Sequence, residues 1–167
     1  VFYDVSTWTL PLAFGLTHTI EPVRGVATEK LSEQLSPQSK ELIRSSIGYL
    51  VDWRDSATPK LLYQLFDTEV KIRVATRPLT ANIKRQGVRS FGYGTLFVSP
   101  KLTEDFPEDA LKILDSAAQV GLGVYSVESS TTPVGIDLGS RYFKVISKPN
   151  VLLASGAGTN AYRVGEI

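Results

Sequence analysis

The sequence predicts an α/β domain with a mainly parallel sheet and flanking helices, and three observations carry that expectation. From Ile47 onward, short apolar runs of strand length alternate with amphipathic stretches of helical period. Of 167 residues, 43% are hydrophobic and 21% charged, enough for one ordinary domain with a real core. No internal repeat or low-complexity tract interrupts this pattern.

Taken in order, VFYDVSTWTLPLAFGL is aromatic and apolar, broken by Pro11 and Gly15 into a strand-like piece and a short turn or helix. ATEKLSEQLSPQSKEL is polar and reads as an exposed connector or short surface helices, with Ser36-Pro37 fitting an N-cap and first helical position. IGYLVDW then reads as a strand. DSATPKLLYQLF follows as a helix with Thr58 as N-cap, Pro59 at the first helical position, and Leu61, Leu62, Leu65 and Phe66 on one face. In VKIRVAT, Val70, Ile72 and Val74 alternate with Lys71 and Arg73, the pattern of a strand with one wetter face. A hairpin is expected around Arg85-Gln86-Gly87, and GTLFVSP reads as a buried strand.

FPEDALKILDSAAQVG spaces Ala110, Leu111, Leu114, Ala117 and Ala118 at helical intervals, with Pro107 early and Gly121 near the stop. GVYSVES, YFKVIS and VLLAS are expected as the last strands. The division expected is an N-terminal connecting segment over 1–45 packed on the domain, the α/β domain over 46–149, and over 150–167 the start of a following βα unit, truncated.

Composition excludes several classes of function. The formal net charge is +1 with both signs interspersed, so no electrostatic footprint for nucleic acid or a membrane surface is visible. The densest basic stretch, IKRQGVR, fits an exposed hairpin. No apolar run reaches the roughly 20 residues that span a bilayer, so no membrane insertion is expected. The start shows no charged and apolar regions of a signal peptide, although the chain begins at Val1 rather than Met. The absence of cysteine excludes disulfides, Cys-ligated zinc and thiol nucleophiles, and a single histidine, His18, excludes any site of several histidines within this chain.

In a parallel α/β sheet, ligands gather beyond the C-terminal strand ends, which directs attention to the loops there. Asp52-Trp53-Arg54-Asp55 brings two carboxylates, a guanidinium and an indole together. Arg54 there could clamp a carboxylate or phosphate while Asp52 or Asp55 acts as acid or base. The competing reading is structural: Asp55 or Ser56 caps the next helix, Arg54 pairs with an Asp and Trp53 packs. It is preferred, because nothing else in the sequence completes a mechanism.

The loop SSTTPVGIDLG carries hydroxyls and Asp137, but a serine nucleophile has no base near it in sequence and no G-x-S-x-G elbow, so turn formation explains it better. His18 and Glu21 have the H-x-x-E spacing of some zinc hydrolases, yet a catalytic zinc takes a third protein ligand, and chance produces such a match easily. SGAGTNAY is neither of the two glycine-rich phosphate loops, and its glycines fit a tight turn after a strand.

Beyond single motifs, YDVSTWTLPLAFGL, YLVDWRDSATPKLLYQLF, FGYGTLFVSP and TTPVGIDLGSRYFKVISKPNVLLASGAGTNAYRVGEI resemble, as consecutive blocks, the long bacterial zinc carboxypeptidases of the carboxypeptidase A type. The resemblance is to the region downstream of the catalytic domain, which is similar to glutamine amidotransferase-like domains. Ala27 to Arg44 is its least distinctive section. It implies a flavodoxin-like or amidotransferase-like fold with an incomplete sheet, a periplasmic or secreted location, and the parent peptidase domain and a peptide substrate as partners. Zinc would sit in that parent domain, held by an H-x-x-E pair and a later histidine, with a glutamate as base. None of those motif positions lies in this chain, and amidotransferase chemistry needs a cysteine that is absent.

The expectation is therefore a non-catalytic accessory domain of such a peptidase, without a cofactor of its own. Asp52, Arg54, Asp55 and Asp137 are its candidate ligand-binding residues. The alternatives are a stand-alone flavodoxin-like module binding a small ligand at Asp52 to Asp55 and Gly156 to Gly158, and a hydrolase using Asp52, Asp55 or Asp137.

Overall fold

The computed structural model describes Thr17 and residues 41–103, 105–152, 154 and 156–158. The expectations placed on the N-terminal block, on His18 and Glu21, on Ser36-Pro37 and on a frayed or short helical Tyr162 to Ile167 lie outside the described residues. Apart from Thr17, the described residues belong to one unit, Ser36–Ile167.

The elements form where apolar period and backbone chemistry agree. Strand β1 (Tyr49–Val51) leads through a turn into helix α1 (Thr58–Phe66), which buries Leu61 and Leu65 on the face the sequence marked. Strand β2 (Ile72–Ala75) is followed by the hairpin β3 (Leu79–Ile83) and β4 (Gly87–Phe91), then β5 (Leu96–Val98) and a short 3-10 turn, Pro100–Leu102. Helix α2 (Glu108–Gln119) starts directly after Pro107, carries Glu108 and Asp109 in its first turn where the dipole favours anions, and buries Ala110, Leu114 and Ala118. Strands β6 (Val124–Ser126) and β7 (Phe143–Ile146) complete the set among the described residues.

The mixture of helices and strands holds, but the parallel sheet does not. The order β6-β1-β5-β2-β7 forms one open sheet in which every neighbouring pair is antiparallel. Because β1 and β2 both run against β5, they are parallel to each other with β5 between them. By the same logic β5 and β6 are parallel with β1 between them. Each strand-helix-strand unit is thus a split crossover filled by a strand of the other, the β-α-β-β-α-β arrangement of ferredoxin-like domains. A split and an unsplit crossover share one sequence pattern, which is why alternation of strands and helices suggested neighbouring parallel strands.

Both helices pack on one sheet face, against Tyr49, Val51, Ile72, Leu96, Val98 and Val124. The other face, with Leu50, Phe97, Tyr125 and Phe143, is covered by Leu79, Ala81, Ile83 and Phe91 of the hairpin and by Ile136 and Leu138 of the loop after β6. Strands β1, β5 and β6 are accordingly buried at every position. The hairpin turn is where expected, with Arg85 and Gly87 at positive φ.

Two local expectations are corrected. Thr58 does not cap α1: Ala57 holds that position, and the Thr58 hydroxyl, fully buried, donates to the Asp52 carbonyl at 2.8 Å, tying the helix start to the end of β1. VLLAS forms no strand over its described residues, because Val151 and Leu152 pair with no neighbouring strand and stand 72% and 94% exposed. The glycine turn after it is present, with Gly156 and Gly158 at positive φ.

Candidate functional site

At one end of the sheet, the C-terminal end of β1 meets the N-terminal ends of β5 and β6, since Val51 pairs with both Leu96 and Val124. The Asp52 amide extends that pairing by donating to the Gly123 carbonyl at 3.1 Å. The chain then turns outward, and the Asp52 carboxylate folds back to organise the turn.

Its Oδ1 accepts the Arg54 amide at 3.1 Å and Arg54 Nε at 3.0 Å, while its Oδ2 accepts Arg54 Nη2 at 2.6 Å. Asp52 is buried, whereas the Arg54 side chain is 72% exposed. The Arg54 hydrogen bond holds the Asp52 carboxyl below its usual range against the opposing effect of burial, with smaller help from the charges of Arg54 and Arg89. The same hydrogen bond raises Arg54 above its usual value. An aspartate held ionised in a bidentate fork does not donate a proton near neutral pH and is a poor base.

The other two carboxylates have separate duties. Asp55 Oδ1 accepts the Ala57 amide at 3.0 Å, and the Asp55 carbonyl accepts the Thr58 amide at 3.1 Å, so this residue shapes the entry to α1. Asp137, exposed, accepts the Thr132 amide at 2.8 Å and the Thr132 hydroxyl at 3.3 Å, closing its own loop between buried Ile136 and Leu138. That loop docks on β3 at Gly135, whose φ is +95° and whose added Cβ would lie 2.5 Å from the Pro78 carbonyl oxygen. The fold thus brings Asp52 and Arg54 together, and no hydrogen bond among the described residues links either to Asp55 or Asp137 through a side chain.

Sequence reasoning missed the residues that extend the Asp52–Arg54 pair. Arg89, on the hairpin, places its Cζ 4.3 Å from the centroid of the Tyr125 ring. Phe91 meets the same ring edge-on at 5.4 Å. Gly123 joins the two halves: a Cβ there would lie 3.2 Å from Tyr125 Oη and 3.6 Å from Asp52 Cβ. Gly94 packs against the Trp53 side chain, and Trp53 and Tyr93 are 41% and 69% exposed. Arg89 sits in the stretch read only as an exposed hairpin, and no spacing within one strand reveals a partner on β6.

Open cavities among the described residues lie elsewhere. One of about 560 Å³ runs between Glu41–Arg44 and α2, and one of about 410 Å³ between α1 and α2. Neither is lined by Asp52, Arg54, Asp55 or Asp137. Among the described residues no group of three or more His, Cys, Asp or Glu side chains could hold a metal ion, and no helix is long and apolar enough to cross a membrane.

The chain matches no protein-family model, no curated protein and no solved structure.

Proposed function

We propose that the chain is a non-catalytic accessory domain, structural or substrate-binding, of a large bacterial zinc carboxypeptidase that removes C-terminal residues from peptides. The ordered sequence blocks supply the family half of this reading. The observation that carries the non-catalytic half is the use of the carboxylates: Asp52 is locked to Arg54, Asp55 to the Ala57 amide and Asp137 to Thr132. Each does positional work inside its own turn, which leaves none of them poised for acid or base chemistry. Zinc, on this reading, belongs to a separate catalytic domain.

The flavodoxin-like alternative draws its ligand site from parallel strands whose C-terminal ends gather on one side. In the antiparallel sheet those ends are divided between the two sides, so that geometric ground is lost.

The test is the complete reading frame and its product. The expected result is an upstream peptidase domain whose zinc-dependent release of C-terminal residues survives replacement of Asp52, Asp55 and Asp137 together by alanine. A frame with no such domain overturns the family reading. Loss of turnover in the folded triple variant overturns the non-catalytic one.

A further inference from the structure

The chain that leaves β7 is fastened to the domain through one hydrogen-bonding side chain. Residues 147–152 follow the last ladder pair, Ile72 with Ile146, are exposed throughout and form neither helix nor strand. Among the described residues, the hydrogen bond that ties them to the rest of the domain is Lys148 Nζ donating to Asp67 Oδ1 at 2.7 Å. The same ammonium stands 4.2 Å from the centroid of the Tyr63 ring, so one cation meets two groups at the C-terminal end of α1.

Why a cation belongs there follows from the sequence of α1. TPKLLYQLF places no basic residue in its last turn and is followed by Asp67 at the C-cap, which sets a carboxylate against the negative end of the helix dipole. Lys148, 81 residues further on, supplies the missing charge. Its ammonium is raised above its usual range, first by the Asp67 hydrogen bond and then by one to Tyr63. An exposed ion pair alone contributes little. Here, however, carboxylate, ring and helix end act on one ammonium. Pro149 transmits the constraint: its ring fixes its own φ and disfavours the helical region for Lys148, so holding Lys148 also aims Asn150 and the residues after it. We propose that Lys148 is the clamp of a strap: joined to Asp67 and Tyr63, it holds residues 147–152 against the C-terminal end of α1 and sets the direction in which the chain leaves the sheet. Without the clamp the strap swings about Ser147. It acts whether or not the chain belongs to a peptidase, so this proposal and the one above fail separately.

The test measures amide nitrogen relaxation at Asn150, Val151 and Leu152 in the isotopically labelled full chain. In the native chain their order parameters are expected nearer the rigid value of about 0.85 than the flexible value of about 0.6, and Lys148→Gln should bring them below about 0.6. Asp67→Asn should have the same effect, while Lys148→Arg, which keeps the charge and can still lie over the ring, should preserve the order. Lys144→Gln, which removes an equal charge from β7 itself, should leave all three amides unchanged. Order that survives Lys148→Gln overturns the proposal, and so does a native segment already below about 0.6. Equal loss of order in Lys144→Gln and Lys148→Gln would trace it to overall charge rather than to the clamp, and refutes the assignment.

Discussion

The two faces of the five-stranded sheet are built from the same strands by different means. On the helical face, Leu61, Leu65, Leu114 and Ala118 meet Tyr49 and aliphatic strand residues, and the helical period places them. On the hairpin face, the contacts are aromatic, with Phe91 against Tyr125 and Phe97 against Phe143 at 5.4 and 5.6 Å, and the covering layer is fixed by special backbone positions such as Gly135. The helical face is a continuous core whose loss is felt everywhere. The hairpin face is covered by a separate two-stranded sheet and a loop, so its failure is expected to stay more local.

Breaking the helical face should therefore have the largest effect. Leu114→Ala, at a fully buried position on α2, is expected to cost about 2–5 kcal/mol, lowering the urea midpoint equally by fluorescence and circular dichroism. Unequal midpoints would mean that the two faces unfold independently. Gly135→Ala combines a left-handed backbone with a clash against the Pro78 carbonyl and should cost about 1–3 kcal/mol. Its signature is faster hydrogen exchange of the Thr80 amide, which donates to the Val134 carbonyl, with the Leu114 amide unchanged. Gly87→Ala sharpens this comparison. At φ +75° with no atom within 4 Å of an added Cβ, it meets only the backbone penalty, roughly 1 kcal/mol.

How far the sequence revealed these two faces follows from the same contrast. The α1 and α2 faces, the hairpin turn and most strands were legible, because each depends on local period or on a residue such as Gly87 that a turn requires. Strand order was not legible: Val51 meets Leu96 and Val124 across long stretches of chain, and apolar runs such as IGYLVDW fit any strand covered on both sides. Thr58 looked like a cap because capping is local, but a long-range strand end captured its hydroxyl instead. Within the candidate site, Asp52 and Arg54 were legible as neighbours in sequence. Arg89 and Tyr125 were not, since their contact arises only when the hairpin folds over β6.

The rim between the faces can be probed by pH. Folding depresses the Asp52 carboxyl, chiefly through the Arg54 hydrogen bond, so its stabilisation is complete above the unfolded value of about 3.9 and is lost as pH falls through the folded value. Asp52→Asn should accordingly be less stable than the native chain at pH 7 by about 1–2 kcal/mol, with the gap closing below about pH 4. Thermal melts across that range would show it, and a gap independent of pH would mean that the charge of Asp52 is irrelevant to folding.

The smallest effect is expected at Asp137, and there the pattern matters more than the size. Its Oδ1 accepts the Thr132 amide and hydroxyl, a duty that an amide oxygen can also perform. Asp137→Asn should then lie within about 0.5 kcal/mol of the native chain, while Asp137→Ala should cost roughly 0.5–1 kcal/mol and speed exchange of the Thr132 amide. An acceptor that closes a loop tolerates loss of charge but not loss of oxygen, whereas a carboxylate kept for a cationic ligand tolerates neither. Equal exchange in the asparagine and alanine variants, both faster than native, would show that the negative charge itself, and not only an acceptor oxygen, holds this loop.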